Sequence, residues 1–471
     1  MVPAMLRKTL LVLGPTALVL GSLVACDDDN GGGGANLGVG DFDASFDATT
    51  NPPPAVDAGP DAETPTPPDA VVVAVTGTTI AGVPIVFHDA EGAVLETLTT
   101  GADGRATSTR PTIAMVTALQ KLGTINHAVT WMGVKLGERL TLKDLAPLGT
   151  VGTFDVSSAY VDGFARTWTA YSGPCSVSGS VAAAQALALN TTCVGATPSS
   201  VLVRSAGTAP QPYRFTRTGP AAPTDGSTVA VTVPTAALAP STTALSVTSF
   251  EITGDIYAND ASIAGGLLFT PEAPKLLDRS TVTGTTASTG LYYPTTFGEA
   301  LQATVSFTPK GTLGTQTLVK RHAPGAAVTF DQKQVLPAIT GGSAPDGKDP
   351  LRPVLAWTGN TSATDGGVIV LGMVYRDPVR AVGWTFVVPP GTTTLKAPAL
   401  PVDASFLPAG QPTFVGPSVS FFESDAFADA AAFRQDQGAF FGPYRGLGVT
   451  TPVLTTDAQL RTTSLTLGTA H

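Results

Sequence analysis

The 471-residue chain is long enough for two or three domains with their own cores, and it carries 36 acidic against 26 basic residues. Ten of the acidic residues, and no lysine or arginine, lie between residues 27 and 70, so the rest of the chain is nearly neutral. Since no basic stripe is present that could follow a phosphate backbone, the charge pattern excludes nucleic acid as an expected partner.

The first 25 residues have the features of a bacterial export signal. Arg7 and Lys8 form a positive start, and residues 9–24 are apolar or small apart from Pro15. This stretch is short and interrupted for a membrane-spanning helix. We therefore predict that residues 1–25 are a signal peptide and that the protein is exported.

The end of this signal, Leu-Val-Ala-Cys at residues 23–26, resembles the lipobox of bacterial lipoproteins. The resemblance implies that Cys26 becomes the new N-terminus and carries a diacylglycerol and a fatty acyl chain such as palmitate, which anchor the protein to a membrane. Asp27 matches an inner-membrane retention signal of some bacteria, but the rule does not hold in all lineages, and we favour the outer membrane or cell surface. An ordinary secretory signal with an incidental cysteine is the alternative.

Residues 26–70 are acidic, rich in glycine and proline, and poor in apolar residues. This composition predicts a disordered, extended tether that lifts the following domain off the membrane. A weak calcium site at residues 27–29 is the alternative, but the segment lacks the turn and the bidentate glutamate of a built site.

Residues 71–148 are predicted to form one β-sandwich. The segment AGVPIVFHDAEGAVL (residues 81–95), followed by TTGADGRA (residues 99–106), resembles the carboxypeptidase-regulatory-like and bacterial Ig-like domains of surface proteins. The resemblance implies a seven-stranded or similar sandwich and no peptidase activity. The residues agree, because Val83, Ile85 and Phe87 line one face at a period of two and the Asp-containing segments suit tight turns.

Two further β-rich regions, residues 149–310 and 311–471, are predicted from short alternating segments between frequent turns. A continuous apolar run at residues 368–375 indicates a strand buried on both faces. The segments that predict half-buried strands contain Leu245, Val247, Phe250 and Ile252; Ala303, Val305 and Phe307; and Trp384, Phe386 and Val388.

One short helix is predicted near the C-terminus. Ser424 is a plausible N-cap, and Phe427, Ala430 and Ala431 fall near one face of the helix that would follow. The predicted fold class is therefore all-β, with two or three β-sandwich-like units after a disordered N-terminal tether and one short helix near the C-terminus.

Two cysteines remain after lipidation, Cys175 and Cys193. In an exported chain, a pair this close in sequence predicts one disulfide that closes a short loop. Free or metal-bound thiols are the alternative, but a zinc site would lack further ligands.

Motifs for catalysis are scarce. The chain has no G-x-S-x-G, H-E-x-x-H, phosphate-binding loop or paired C-x-x-C, and its histidines, among them His88, His127 and His322, lie in no recognisable catalytic context. We predict no catalytic residue, no metal site and no cofactor. His88 follows Phe87 in an alternating strand, and its side chain is expected to face solvent.

Four tryptophans offer the remaining functional hint. Trp131 and Trp384 lie in alternating strands and are predicted to be core residues. Trp168 and Trp357 lie near predicted loops and strand edges, so they are the candidate ligand-contact residues if the domain binds cell-wall or extracellular polysaccharide through exposed rings.

These features predict a lipid-anchored cell-envelope or surface protein with a non-catalytic binding or structural ectodomain. The membrane, through Cys26, is one expected partner, and a polysaccharide or an envelope protein is another. A polymer hydrolase is the alternative, with Asp255, Asp260 and Glu272 as weak candidate carboxylates. A third hypothesis is an assembly component that docks by strand addition, for which a bare edge strand would be the sign.

Overall fold

The computed structural model describes residues 67–77, 80–122, 125–143, 150–158, 167–172, 175–180, 185–190, 202–206, 213–217, 227–233, 240–248, 261–269, 275–276, 280–282, 288–294, 300–307, 314–323, 325–331, 334–343, 345, 349–376, 379–401, 406–407, 410–441, 454 and 459–467. These residues contain 29 strands and one helix. The prediction of an all-β fold with one short C-terminal helix is therefore confirmed. None of the helical residues within these ranges forms a helix long and apolar enough to cross a membrane.

The first seven strands form two sheets that share one core. The strands are β1 (Val71–Thr76), β2 (Pro84–His88), β3 (Val94–Thr99), β4 (Arg105–Ser108), β5 (Met115–Leu122), β6 (Ile125–Met132) and β7 (Arg139–Lys143). One sheet has the order β4-β1-β7, and in the other β3, β2, β5 and β6 are neighbours. Val83, Ile85 and Phe87 are buried in the shared core, as the period of two predicts. The described chain thus begins with a seven-stranded β-sandwich.

The predicted turns join these strands. At the tip of the β2–β3 hairpin, the Asp89 carboxylate accepts the N–H groups of Glu91 (3.0 Å) and Ala93 (2.8 Å). Gly92 has a φ of 78° and Gly104 a φ of 74°. At Gly104 a Cβ atom would lie only 2.5 Å from the carbonyl oxygen of Val75. Both the backbone angle and the space therefore require glycine at Gly104.

The middle of the chain contributes thirteen strands. Two small sheets have the orders β10-β9-β12-β13 and β11-β8-β14, and a third has the order β19-β15-β22, in which β22 (Val328–Asp331) comes from the C-terminal part. Trp168, Phe154 and Leu187 lie in a core of this region. The strands are β8 (Thr150–Ser158), β9 (Thr167–Ser172), β10 (Cys175–Ser180), β11 (Gln185–Asn190), β12 (Leu202–Ala206), β13 (Tyr213–Arg217), β14 (Thr228–Val233), β15 (Pro240–Thr248), β16 (Ala261–Phe269), β17 (Lys275–Leu276), β18 (Ser280–Val282), β19 (Ser288–Pro294) and β20 (Ala300–Phe307).

The C-terminal part contributes nine strands and the helix. A small sheet has the order β23-β24-β27. The elements are β21 (Thr315–His322), β22 (Val328–Asp331), β23 (Gly341–Ser343), β24 (Val354–Thr358), β25 (Gly366–Arg376), β26 (Val379–Val388), β27 (Thr394–Lys396), β28 (Thr413–Ser424), α1 (Ala430–Phe441) and β29 (Gln459–Thr466).

A 13-stranded sheet runs through all three predicted regions. Its order is β17-β16-β20-β21-β29-β28-β25-β26-β6-β5-β2-β3, with β18 beside β16. The sandwich joins it through β6, which pairs in parallel with β26 and places Ala128 opposite Trp384. Backbone hydrogen bonds therefore cross the predicted boundaries at residues 148 and 310. The division of the chain into domains stays a prediction.

The central strands of this sheet are covered on both faces. On β25, Val368 packs into the sandwich core, whereas Ile369 and Leu371 pack into a second core on the opposite face. The prediction of a strand buried on both faces at residues 368–375 is thus confirmed. The neighbouring β26 is more buried than its half-buried prediction, because Val387 packs into the sandwich core and Trp384 into the second core.

The helix begins later than the sequence predicts. The Asp429 carboxylate accepts the N–H groups of Ala431 (2.9 Å) and Ala432 (2.9 Å), so Asp429 and not Ser424 is the N-cap. Ser424 ends β28, and its hydroxyl accepts the N–H of Ala426 in the turn that follows. Phe433 of this helix is fully buried in the sandwich core.

Candidate functional site

The clearest candidate site among the described residues is the open edge at β3. This strand pairs with β2 and lies at the end of the 13-stranded sheet. Thr100 donates its N–H to the carbonyl of Val83 on the β2 side. Because hydrogen-bonding direction alternates along a strand, the backbone groups of Thr97 and Thr99 point to the open side. Both threonines are exposed.

The open edge carries few features that block strand pairing. Edge strands are usually protected by lysine, by proline or by a bulge. The segment from Val94 to Thr99 contains neither lysine nor proline, and its one charged residue is Glu96. A bulge occurs where Phe87 and His88 face Glu96 and Val94, so it distorts only the start of β3. The second half of the strand remains regular.

The start of β3 is held in place by the C-terminal part of the chain. The Arg352 guanidinium donates to the carbonyl of Glu91 (2.7 Å) and to that of Ala397 (3.2 Å). Ala399 donates its N–H to the carbonyl of Gly92 (2.9 Å). The hairpin tip is therefore fixed by residues that lie far from it in sequence.

The end of β3 and its inner face are fixed as well. The Thr100 hydroxyl accepts the N–H of Val83 (2.9 Å) and donates to the carbonyl of Ile80 (2.5 Å). The Glu96 carboxylate accepts the Ser108 hydroxyl (2.5 Å) and lies 3.9 Å from the guanidinium of Arg110, so side chains close the gap between β3 and β4. An edge held at both ends loses little conformational entropy when a partner strand binds.

A buried polar chain lies behind this hairpin, on the second-core face of the sheet. The imidazole Nε2 of His88 is 3.0 Å from the Thr117 hydroxyl, which is 2.9 Å from the Thr130 hydroxyl. The Trp384 indole donates to the Thr130 hydroxyl (2.9 Å). The chain thus links β2, β5, β6 and β26.

The expectation that His88 faces solvent is wrong, because its side chain is 0% exposed. His88 does point away from Phe87, but that face of the sheet is covered by the second core. Burial lowers the pKa of His88 to about 4, the nearby Asp89 opposes this shift, and Arg352 adds to it. The imidazole Nδ1 makes no hydrogen bond to any described residue. A neutral, fixed ring suits a structural role.

A buried ion pair joins the helix to the sandwich. The Arg434 guanidinium donates to both carboxylate oxygens of Glu138, at 2.6 and 3.0 Å. The side chains are 5% and 12% exposed, respectively. Such a two-point contact in a dry setting fixes the position of α1 on the loop before β7.

One described pair of carboxylates, Asp365 and Glu423, lies close enough for Glu423 to raise the pKa of Asp365. Burial raises the pKa of Asp365, which accepts the N–H of Ser424 at 2.7 Å. Its neighbour Glu423 is engaged by Arg461 in an ion pair. Within the described ranges no group of three or more His, Cys, Asp or Glu side chains could hold a metal ion. The hydrolase candidates Asp255, Asp260 and Glu272 lie outside those ranges.

The two candidate ligand-contact tryptophans are buried and not exposed. Trp168 is 4% exposed in the core of the middle region, and Trp357 is 5% exposed in the second core. Trp168 packs in a core formed by residues between Phe154 and Val231, whereas Trp357 packs in a core that includes Ala128 and Phe421. Trp131 and Trp384 are fully buried, as predicted.

Of the three cysteines predicted as site residues, one lies within the described residues. Cys26 and Cys193 lie outside the described residues, and Cys175 is the first residue of β10. Lipidation and the disulfide therefore stay predictions. The edge threonines, Thr97 and Thr99, were not singled out from sequence, since nothing local shows which strand ends a sheet.

No protein-family model matches the chain, and no curated protein matches it. Among solved structures, the Bacillus anthracis TIE protein is 11% identical, with a TM-score of 0.15 over 56% of this chain and 50% of that chain. A tetra-tandem repeat from the extending region of a large adhesion protein is 12% identical, with a TM-score of 0.13 over 75% of this chain and 95% of that one. The pilus adhesin SpaC from Lactobacillus rhamnosus GG is 12% identical, with a TM-score of 0.12 over 68% of this chain and 44% of that one. The chain spans half the length of the first of these proteins, and similarity at this level bears on neither function nor partner.

Proposed function

We propose that this chain is a lipid-anchored cell-envelope or surface protein whose non-catalytic, β-rich ectodomain docks a protein partner at the envelope by strand addition at β3. The observation that carries the proposal is the regular open half of β3. Thr97 and Thr99 direct outward backbone donors and acceptors that pair with no other described residue, from a strand that is fixed at both ends. Strand addition uses such groups for affinity and the exposed side chains for specificity.

Docking by an edge suits this chain better than glycan binding through aromatic rings. The two tryptophans that would have contacted a glycan, Trp168 and Trp357, are buried. A hydrolase would need two nearby carboxylates, and the described acidic residues with shifted pKa values, Asp365 and Asp429, serve backbone caps instead. The scaffold therefore has a role in presenting a surface.

The proposal places lipid on Cys26 and a disulfide between Cys175 and Cys193. Lipidation would leave two cysteines in an oxidising compartment, where they pair. The disulfide is tested by mass spectrometry of the non-reduced, exported chain after proteolysis. A peptide containing both residues is expected, and free thiols at both positions would rule it out.

The anchor is tested by expressing the full chain in a bacterium fed an alkyne fatty acid. The wild-type chain and a Cys175→Ser control are expected to incorporate the label and float with membranes. Cys26→Ser is expected to lose both properties. A labelled Cys26→Ser chain, or an unlabelled wild type, would refute lipid anchoring.

Docking at β3 is tested by cross-linking the anchored chain to its envelope neighbours in cells. Photo-reactive residues would be introduced at Thr99 and, as a control, at Thr107, which is exposed on β4. Cross-links to protein are expected from Thr99 and not from Thr107. Equal yields from the two positions would show that β3 has no special role.

A further inference from the structure

We infer that the partner of the β3 edge is a second copy of this chain, paired antiparallel through a two-fold axis at Leu98. The inference deepens the proposed docking role and rests on it, because the lipid anchor supplies the surface density that favours pairing between copies. The register in which β3 can pair with its own copy supports this inference.

The alternating direction of the backbone groups along β3 limits the registers in which two copies can pair. Only Thr97 and Thr99 in the regular half of β3 direct their backbone groups outward, since Thr100 bonds to the β2 side. A two-fold axis at Leu98 sets each Thr97 opposite the partner's Thr99. These two pairs make about four backbone hydrogen bonds.

The same register also matches the side chains. Leu98, which packs partly on the sandwich core, faces its own copy, so apolar meets apolar. Glu96 lies opposite the partner's Thr100, and the two glutamates are kept apart. An axis at Glu96 would set the two carboxylates directly opposite each other, which is unfavourable. An axis at Thr97 would place Leu95 opposite the partner's Thr99, and Leu95 lies at the bulge, where pairing is irregular.

Charge around the edge agrees with self-pairing. Glu96 is the single charged residue of β3, and it is already engaged by Ser108 and Arg110. The edge therefore presents no net charge that would repel its own copy. Pairing would continue the 13-stranded sheet from one chain into the next and remove the open edge of both.

The test uses charge reversal on the full chain in phosphatidylcholine vesicles, with energy transfer between donor and acceptor labels on a C-terminal tag. The variants are Thr97→Lys/Thr99→Lys and Thr97→Glu/Thr99→Glu. The matched control is Thr107→Lys/Thr109→Lys, which changes two exposed threonines with the same spacing at β4. Near-ultraviolet circular dichroism checks that every variant folds.

The wild type and the control are expected to associate equally. Each charged variant alone should associate about tenfold more weakly, because like charges meet across the axis, and an equal mixture of the two should recover to within about threefold of the wild type. Absence of wild-type association, undiminished association of either variant alone, or failure of the mixture to recover would each overturn the inference.

Vesicle flotation of the same samples reports anchoring separately. Chains that float without energy transfer would contradict pairing and leave the anchor intact. Chains that do not float would contradict the anchor, and pairing would then be decided by sedimentation of the same variants in solution, with the same expected and contradicting patterns.

Discussion

Acidification is expected to destabilise the fold through His88. The imidazole is fully buried on the second-core face of the sheet, where Nε2 contacts the Thr117 hydroxyl and Nδ1 bonds to none of the residues that the structure describes. Protonation would place a charge in this setting with Arg352 nearby, and Asp89 compensates only in part. The unfolded chain would accept the same proton in water.

The size of the effect follows from the two pKa values. Burial lowers the folded-state pKa of His88 from 6.5 to about 4. Because the unfolded state binds the proton more tightly, the stability due to neutral His88 is complete above about pH 6.5 and is lost as the pH falls toward 4. At about pH 4.5 the loss is about 2.5 kcal/mol.

The assay is urea unfolding followed by tryptophan fluorescence at about pH 7 and pH 4.5. His88→Gln removes the titrating group and keeps a side chain that can bond to Thr117. Acidification should therefore lower the free energy of unfolding of this variant by about 2.5 kcal/mol less than that of the wild type. His322→Gln, at a more exposed histidine, serves as the matched control and should behave as the wild type. An equal acid response in wild type and His88→Gln would refute the reasoning.

Three further outcomes are expected. Arg434→Met leaves the Glu138 carboxylate buried without its partner and should lower the free energy of unfolding in urea by about 3 kcal/mol. The double variant Arg434→Met/Glu138→Gln should lower it much less, and equal losses would refute a buried ion pair. Gly104→Ala should cost about 2 kcal/mol through its positive φ and its close carbonyl neighbour, against less than about 1 kcal/mol for Ala102→Gly in the same turn. Similar values would contradict the steric argument. Residues 67–148 expressed alone should lack a fixed core, because Phe433 of the helix completes the sandwich core. Sharp, dispersed amide resonances from this fragment would contradict that expectation.

Local chemistry was enough to predict the sandwich strands and their turns. The alternation of Val83, Ile85 and Phe87 depends only on the period of a strand, and Asp89 and Gly92 suit a hairpin tip in any surroundings. The prediction for residues 368–375 succeeded for a related reason, since an apolar run without alternation has no face that could meet water. In each case the deciding information lay within a few residues.

The wrongly expected exposures share one physical cause, which is burial by segments that the local sequence does not reveal. His88 shares its face of β2 with Val86, and the second core covers that face. Trp168 and Trp357 were assigned to loops and edges by their neighbours in sequence, yet strands from elsewhere cover them. The helix start was missed because Ser424 and Asp429 are both good caps, and the hydrogen bond of the Ser424 hydroxyl to the Gln459 carbonyl ties Ser424 to the sheet.

The position of the open edge follows from the parallel pairing of β6 with β26. That contact adds the sandwich to the end of the large sheet, so the sheet ends at β3, about 70 residues after the predicted lipid anchor. Every anchored copy would then present the same edge, on a tether of the same length, from the same membrane. With the predicted tether at residues 26–70, two copies on one membrane would meet edge to edge without either chain changing its fold. Copies on opposing membranes would meet only where the two membranes lie within the combined length of both tethers. Pairing at β3 is therefore expected within one membrane, and mixing two populations of vesicles, one with donor-labelled and one with acceptor-labelled chains, should give little energy transfer. Strong transfer between separate vesicles would show instead that the edge joins membranes.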